Sequence, residues 1–344
     1  MRIGIIGAGA ASAAASYVLD NTVPDAELTV FEKSGGLCGR AATRRRDGRY
    51  YDYGANYVKD EDPRVVELLT ESLDTEGLVS IEEPIYVFDA DGTVSEGRDT
   101  DERKWTYREG LTQIAKRLFG NTDASIHRRT RIEAIVRDGD QWRLRDSSGE
   151  IYGPFELLVC NPPAPQTETL LRDADWDSPI RDNLVEAVEE VDYRTIYTAI
   201  LGYEFELDVP YYALVNPGKD HKVGWIAREE CKPGHVPDGE SLLVVQASHD
   251  WSVTHYDDEP AENIASLAEM SAEILGESRL ASPKWSDHQG WRYALAENGV
   301  PRGPLDSAED SGLYCLGDWV AGEPRLHAAL RNGLDTAERI AYTV

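Results

Sequence analysis

The residues closest to the N-terminus form a pattern that could bind a ligand through the backbone. The segment Gly7-Ala8-Gly9-Ala10-Ala11-Ser12 stands between an apolar run, which predicts a strand, and an alanine-rich stretch, which predicts a helix. Glycine allows a tight turn there, and a helix N-terminus presents N–H donors to a phosphate group. Glu32 ends a second predicted strand, where a carboxylate can accept a hydrogen bond from a ribose hydroxyl. This spacing predicts a site for a dinucleotide whose adenosine lacks a 2′-phosphate.

Further segments rich in glycine, acidic and aromatic residues follow in a recognisable order. They are Gly35–Arg40, Asp52–Tyr57, Ile132–Leu144, Pro163–Gln166, Ala247–His255, Trp291–Ala294, Gly317–Trp319 and Arg325–Gly333. In their order and spacing the chain resembles the flavin-dependent amine-oxidase superfamily, and within it renalase and its bacterial relatives, over nearly its whole length. The resemblance implies an enzyme with non-covalent FAD and an α/β fold. It also implies a Rossmann-like FAD-binding domain of the glutathione-reductase and amine-oxidase type, joined to a mixed α+β substrate domain.

The resemblance also assigns the FAD contacts. They are expected at Gly7, Ala8, Gly9, Ala10, Ala11, Ser12, Glu32, Lys33, Gly39, Arg40, Ala55, Asn56, Tyr57, Ile132, Gly317, Asp318, Arg325, Leu326, His327 and Ala328. Glu32 is expected at the adenosine ribose, Arg40 near the pyrophosphate and Asp318 at a ribityl or nearby hydroxyl. Arginine suits phosphate because its guanidinium matches phosphate oxygens geometrically.

The candidate catalytic residues, expected at the flavin face, are Asn56, Tyr57, Trp291 and Tyr293. The chain departs from the superfamily pattern at three places. Cys38 stands where glycine is usual, Asn56 replaces glutamine, and His327-Ala328 replaces glutamate-glycine. Roles carried by the backbone survive such changes more readily than side-chain roles, so Asn56 is the departure that most affects the substrate side.

Apolar runs and turn residues predict two domains. We expect a discontinuous FAD-binding domain from residues 1–60, 104–165 and 285–344, and a substrate domain from residues 61–103 and 166–284. A helix is predicted from Tyr107 to Phe119. A three-stranded meander is predicted over residues 126–136, 141–145 and 155–160, with the active site at the interface of the two domains.

Composition limits the possible partners. The 344 residues carry a formal net charge of −28, which repels phosphate backbones and argues against nucleic acid. No apolar run approaches the roughly 20 residues that span a bilayer, so we expect no membrane partner. The four cysteines form no C-x-x-C, and the histidines lack metal-ligand spacing, so neither disulfides nor a metal are expected. The excess of acids with only eight lysines favours a halophilic cytoplasm.

The sequence leaves the reaction open among three hypotheses. It shows no G-x-S-x-G and no supported Ser/His/Asp pattern, which suits direct hydride transfer to flavin N5. The resemblance to renalase implies oxidation of 2- or 6-dihydro isomers of NAD(P)H, a small-molecule substrate, with O2 as acceptor and H2O2 as product. Amine oxidation or isoprenoid desaturation is the alternative, and a non-catalytic flavin-binding protein is the third.

The cluster Arg44-Arg45-Arg46, with Arg49 nearby, has two interpretations. It could bind a second phosphate-bearing ligand, which would suit a dinucleotide substrate. Alternatively it is a strand-and-turn surface whose charges pair with neighbouring carboxylates.

Overall fold

Two sheets organise the computed structural model, which describes residues 1–97 and 102–344. The strands of the described residues are β1 (Arg2–Ile6), β2 (Glu27–Glu32), β3 (Thr43–Arg46), β4 (Arg49–Asp52), β5 (Val58–Lys59), β6 (Leu78–Ser80), β7 (Ile85–Phe88), β8 (Val94–Ser95), β9 (Lys104–Tyr107), β10 (Ser125–Arg128), β11 (Ile132–Asp138), β12 (Gln141–Asp146), β13 (Ile151–Phe155), β14 (Leu157–Cys160), β15 (Tyr193–Tyr203), β16 (Ala213–Val215), β17 (Val223–Arg228), β18 (Ser241–Ala247), β19 (Trp285–Ala296) and β20 (Leu313–Cys315). The α-helices of the same residues are α1 (Ala10–Thr22), α2 (Pro63–Glu67), α3 (Thr112–Gly120), α4 (Ala164–Arg172), α5 (Pro179–Glu189), α6 (His249–Thr254), α7 (Pro260–Leu275), α8 (Arg302–Glu309), α9 (Asp318–Ala321) and α10 (Leu326–Thr343).

The first sheet, here called the parallel sheet, has the strand order β10-β2-β1-β14-β20, and every neighbouring pair in it is parallel. Ile3 and Ile5 of β1 are fully buried, as expected for a parallel strand covered on both faces. Helices α1, α3 and α10 contribute to the core on one side of it. Because the strands run the same way, their carboxyl ends meet at one edge, where ligands bind in open α/β sheets. The predicted Rossmann-like α/β fold is confirmed.

Two local predictions differ from the structure. The antiparallel meander consists of β11, β12 and β13, whereas β10 and β14 on either side of it belong to the parallel sheet. Arg129 adopts a left-handed backbone with φ +57°, which separates β10 from β11 in what looks like one continuous run. The helix predicted from Tyr107 begins only at Thr112, because Tyr107 ends strand β9 instead.

The second sheet, here called the mixed sheet, has the order β19-β15-β18-β17-β16-β7-β8. Its pairs are antiparallel except for β16 with β7. Alternate residues of β15 enter different cores, so that Leu201 packs with Leu267 of α7 while Ile200 packs with Tyr51 of the β3–β4 hairpin. One face of the mixed sheet is therefore covered by helices, and the other faces the segment that follows β4.

Strand β19 affects where the boundary between the two domains is placed. Residues 285–344 were expected in the FAD-binding domain, yet β19 pairs with β15 along most of its length. We propose that the substrate domain takes in this strand, so that the last FAD-binding segment begins near residue 297. Residues 98–101 of the expected 61–103 segment lie outside the described residues.

Helices α1 and α10 pack through their backbones. A Cβ atom at Gly333 of α10 would overlap the carbonyl oxygen of Ala11, so only glycine permits the observed approach. Ser12 and Ser16 of α1 are also fully buried, and their small size serves the same close packing. None of the helices in residues 1–97 and 102–344 combines the length and the apolarity required to cross a membrane.

We expect Gly333→Ala to lower the free energy of unfolding by about 3 kcal/mol, because the added methyl group forces the two helices apart. Urea denaturation followed by tryptophan fluorescence measures this change. Gly303→Ala is the matched control, since a Cβ at that helical glycine meets no atom within 4 Å. A loss of stability in the control equal to that of Gly333→Ala would contradict the explanation.

Candidate active site

The turn between β1 and α1 is shaped for close approach to its backbone. Gly7 has φ +92°, a conformation that favours glycine, and its N–H donates to the carbonyl of Phe31 at 2.8 Å. A Cβ at Gly9 would lie 2.5 Å from Oδ1 of Asn161, so a larger residue there would have to displace that side chain. Gly9 caps α1, and within the described residues no side chain accepts a hydrogen bond from the first N–H groups of the helix. These features fit a phosphate group held by backbone N–H donors.

Glu32 reaches this turn from the end of β2. Its Oε2 accepts a hydrogen bond from the N–H of Ala8 at 2.9 Å, and its Oε1 accepts from the N–H of Ser34 at 2.7 Å. The carboxylate is thereby fixed beside the turn, as the ribose assignment requires. Lys33 points elsewhere, since its Nζ donates to Oε1 of Gln166 at 3.0 Å. Ile132 is buried at the start of the meander.

A second turn lies directly against the first. The N–H of Cys38 donates to the carbonyl of Ala8 at 2.9 Å, and a Cβ at Gly39 would lie 3.5 Å from Cα of Gly9. Cys38 has φ +78°, in the left-handed region where a glycine is usual. Its thiol is buried, and its Sγ lies 3.7 Å from the carbonyl oxygen of Leu111. Burial raises the pKa of Cys38 to about 12, so the thiol stays protonated at neutral pH.

The structure joins Arg40 and Asp318, which the sequence analysis placed at separate parts of the cofactor. Nη2 of Arg40 lies 2.6 Å from Oδ1 of Asp318, and Nη1 lies 3.0 Å from Oδ2. Nη1 also donates to the carbonyl of Ala294 at 2.9 Å. Burial alone would lower the pKa of Arg40, but the carboxylate of Asp318 outweighs that effect and raises it. This bidentate pair connects the second turn, the end of β19 and the start of α9.

The C-terminal part of the site depends on the start of α10. Gly317 has φ +136°, and its N–H donates to Oδ1 of Asn332 at 2.8 Å. Arg325 caps α10 without a side-chain hydrogen bond to the helix, and no side chain of residues 1–97 or 102–344 accepts from the N–H groups of its first turn. His327 and Ala328 in that turn are both buried, and Nε2 of His327 lies 3.2 Å from Oε1 of Glu323.

Residues 53–57, here called loop 53–57, cross between the parallel and mixed sheets. The N–H of Ala55 donates to the carbonyl of Arg40 at 2.9 Å, and a Cβ at Gly54 would overlap that same oxygen. From the mixed sheet, Nε2 of Gln246 donates to the carbonyl of Gly54 at 2.7 Å. Oδ1 of Asn56 is buried and has no hydrogen-bond partner among the described residues.

Aromatic rings surround both ends of loop 53–57. Trp291 stacks on Tyr53 with centroids 5.3 Å apart, and its Nε1 donates to the carbonyl of Tyr53 at 2.9 Å. The Tyr57 ring centroid lies 6.3 Å from that of Tyr212 and 6.5 Å from that of Trp225. Burial, reinforced by the charge of Glu102, raises the pKa of Tyr57 to about 12.

Of the four expected catalytic residues, the structure brings Asn56, Tyr57 and Trp291 together at loop 53–57. Tyr293 lies apart from them. Its ring packs against that of Tyr193 at 5.7 Å, and its carbonyl oxygen lies 3.5 Å from Nη1 of Arg40.

The arginine cluster pairs with carboxylates. Nη1 of Arg44 lies 2.9 Å from Oδ2 of Asp287, and Nε of Arg49 lies 2.6 Å from Oε2 of Glu240. The guanidinium of Arg44 also stacks over the Tyr53 ring at 4.2 Å. These contacts favour the interpretation of a paired surface over a second phosphate site.

The sequence did not predict one cluster of buried residues beside the site. Asp52, Glu229, Lys232 and His235 form a fully buried cluster directly before loop 53–57. Asp52 belongs to a motif named above, but its partners lie about 180 residues further along the chain. The only available signal was a lysine between cysteine and proline in a lysine-poor chain.

The parallel sheet, the glycine turn and the acid at the end of β2 define a dinucleotide-binding protein of Rossmann type. Comparison with known families agrees, since residues 5–72 match a family described as NAD(P)-binding Rossmann-like domain. Residues 92–341, well over half of the chain, match the family described as flavin containing amine oxidoreductase. The chain therefore belongs to the flavin-containing amine oxidoreductase family, and it is an FAD-dependent oxidoreductase.

Solved structures share the fold along the whole chain. A protein named as a protoporphyrinogen oxidase from Exiguobacterium sp. 255-15 superposes with a TM-score of 0.78 at 15% identity, covering 100% of this chain and 99% of that one. Cyclohexylamine oxidase from Brevibacterium oxydans IH-35A gives 0.75 at 13% identity, covering 99% of both chains. Reduced UDP-galactopyranose mutase gives 0.77 at 11% identity, covering 100% of this chain and 96% of that one. The names of these neighbours span different reactions, so the shared fold does not by itself specify a substrate.

We expect Asp318→Ala to raise the FAD dissociation constant at least about tenfold. Truncating one partner of a largely buried pair leaves the other charge without compensation, and Arg40 would lose its place. Fluorescence titration of the apoprotein with FAD measures the change. Asp335→Ala is the control because it removes an exposed carboxylate from α10. Equal FAD affinity in Asp318→Ala and wild type would exclude this role for the pair.

We expect the thiols of the folded protein to resist iodoacetamide at pH 8. Burial raises the pKa of Cys38, Cys160 and Cys231 to about 12 each, which leaves roughly one thiol in ten thousand ionised. Mass spectrometry after timed labelling should find these cysteines modified in urea and unmodified in buffer. Rapid labelling of Cys38 in the folded protein would show that it is accessible to a flavin or reagent.

Proposed function

We propose that this enzyme is a renalase-like oxidase that takes hydride from a dihydronicotinamide isomer. When bound, FAD would supply a hydride acceptor at N5, and the two electrons and one proton of that hydride, with one proton from solvent, would convert O2 to H2O2.

The observation that supports this proposal is the chemistry of the side chains around loop 53–57. The uncharged side chains that contact it from the rest of the described chain include Gln246, Trp291, Tyr212 and Trp225, and the guanidinium of Arg44 stacks on the Tyr53 ring. None of these uncharged side chains ionises near neutral pH, and burial raises the pKa of Tyr212 well above its ordinary value. A dihydropyridine needs no base, because the loss of hydride alone makes its ring aromatic. An amine arrives as an ammonium ion and must first lose a proton.

We place the cofactor along the carboxyl edge of the parallel sheet. The turn Gly7–Ser12 and the start of α1 would hold the pyrophosphate through N–H groups, with Glu32 at the adenosine ribose. Arg40 and Asp318 act in this proposal as one unit that fixes the segment around Gly39 and the start of α9. Loop 53–57 then lies along the isoalloxazine ring, and the start of α10 lies at its pyrimidine edge, where a helix dipole favours negative charge.

One observation favours amine oxidation as the second candidate. After burial, the largest effect on the pKa of Tyr57 is the negative charge of Glu102, and Glu61 acts in the same direction. Two carboxylates near Tyr57 would attract a cationic substrate. Arg325 and Lys59 offset this attraction: the charge of Arg325 lowers the pKa of Tyr57 by more than Glu61 raises it, and Nζ of Lys59 lies 3.4 Å from Glu61 and 3.5 Å from Glu102.

Anaerobic mixing of the FAD-loaded enzyme with substrates separates these candidates. We expect the 2- and 6-dihydro isomers of NADH to bleach the oxidised-flavin band at about 450 nm. Cyclohexylamine and putrescine are expected to leave the band unchanged. The ordinary 4-dihydro isomer serves as the matched control for non-specific reduction.

The outcomes lead to different conclusions. Bleaching by amines alone would replace the proposed function with amine oxidation. An enzyme that none of these compounds reduces would be left as a flavin-binding protein, or as an oxidase for another class of donor. After bleaching, readmission of air should restore the band and release H2O2 in equal amount.

A further inference from the structure

A fully buried cluster of charges lies beneath loop 53–57. Nζ of Lys232 is 2.9 Å from Oδ2 of Asp52 and 2.7 Å from Oε1 of Glu229, and all three side chains are 0% exposed. Lys232 is one of eight lysines in the chain and the one that is buried within residues 1–97 and 102–344. Burying an ion pair gives up hydration and adds little stability compared with apolar residues of similar size. The location of the cluster therefore suggests a role beyond stability.

His235 completes the cluster. Nδ1 of His235 lies 2.9 Å from Oε2 of Glu229, and Nε2 lies 2.9 Å from the carbonyl oxygen of Tyr107. Lys232 and His235 thus contact the same carboxylate, that of Glu229.

The cluster holds the residue that precedes loop 53–57. Oδ1 of Asp52 accepts from Oγ1 of Thr43 at 2.6 Å and from the N–H of Leu111 at 3.0 Å. The N–H of Asp52 donates to Oε2 of Glu229 at 3.1 Å. Both the backbone and the side chain of Asp52 are therefore fixed. Because Asp52 directly precedes Tyr53, the N-terminal end of loop 53–57 is fixed as well.

The cluster also reaches the other end of the loop. Nζ of Lys232 lies 6.0 Å from the ring centroid of Tyr212, within the range of a cation–π contact. The fully buried Tyr212 ring in turn packs at 70° to that of Tyr57. A single ammonium group is thus connected to residues on both sides of Asn56.

We propose that Lys232 is a positioning residue that holds both ends of loop 53–57 against the mixed sheet and so sets the distance between the loop and a substrate at the flavin. This inference rests on the proposed placement of the loop along the flavin ring. Charges buried at 2.7–2.9 Å resist displacement more strongly than apolar contacts, because any shift leaves an uncompensated charge in a medium of low polarity. An apolar cluster would allow the loop to slide.

The test uses the FAD-loaded full chain with the triple substitution Asp52→Asn, Glu229→Gln and Lys232→Met. This variant removes the charges of Asp52, Glu229 and Lys232 while keeping similar volumes. We expect its FAD dissociation constant to stay within about threefold of wild type. We expect amide hydrogen exchange in residues 53–57 to rise at least about tenfold, because the loop opens locally more often. The rate of anaerobic flavin reduction by the 6-dihydro isomer of NADH should fall by about tenfold or more.

A neighbouring ion pair provides the matched control. Nε of Arg228 lies 3.0 Å from Oε1 of Glu230, and both side chains are mostly buried. Arg228 also donates to the carbonyls of Val209 and Tyr211, away from loop 53–57. Arg228→Met with Glu230→Gln should leave loop exchange and flavin reduction within about twofold. Losses equal to those of the triple variant would show a merely structural role and overturn the proposal, as would wild-type loop exchange in the triple variant.

A single substitution tests the role of Lys232 if the triple variant does not fold. Glu229→Gln keeps the contact between Lys232 and Asp52, and we expect loop exchange to rise about threefold; unchanged exchange would overturn the proposal. Failure of the wild-type enzyme to react with the dihydronicotinamide would instead remove the proposed function. Loop exchange would still test the role of Lys232 in that case.

Discussion

Backbone segments approach one another at the carboxyl edge of the parallel sheet without room for side chains, and the candidate active site depends on these contacts. Gly54 lies against the carbonyl of Arg40, and Gly333 lies against the carbonyl of Ala11. Each glycine lets two segments that are distant in sequence share a position that a Cβ would fill. The first turns of α1 and α10 and loop 53–57 are thereby placed by the main chain, and side-chain interactions then fix the details.

The sequence predicts those parts of the site whose signals are local. The glycine turn, the position of Glu32 and the parallel strands follow from residue type and spacing over about 30 residues, and the structure has them where they were expected. Interactions between distant segments leave no such signal. Arg40 meets Asp318 across 278 positions, β19 joins the mixed sheet through β15, and Lys232 meets Asp52 across 180 positions. Nothing in the composition around any one of these residues indicates its partner.

Charged residues are arranged differently at the surface of this acidic chain and in its interior. At the surface, carboxylates exceed basic residues and their repulsion is weakened by salt. Beside the site, each buried cation that the structure describes has a carboxylate within hydrogen-bonding distance, as Arg40 has Asp318 and Lys232 has Asp52. Buried pairs are screened much less by salt than surface pairs. The geometry around loop 53–57 is therefore insulated from changes of ionic strength that alter the surface.

The contact between Gly333 and Ala11 also constrains when the protein can fold. Strand β20 and helix α10 complete the parallel sheet and the cover of α1, but Gly333 follows Ala11 by 322 residues. At synthesis rates of about 5–20 residues per second, roughly 15–60 s separate the emergence of these two residues from the ribosome. During that interval the small apolar face of α1 has no partner helix. The dinucleotide site is thus completed only after the whole intervening chain has been synthesised.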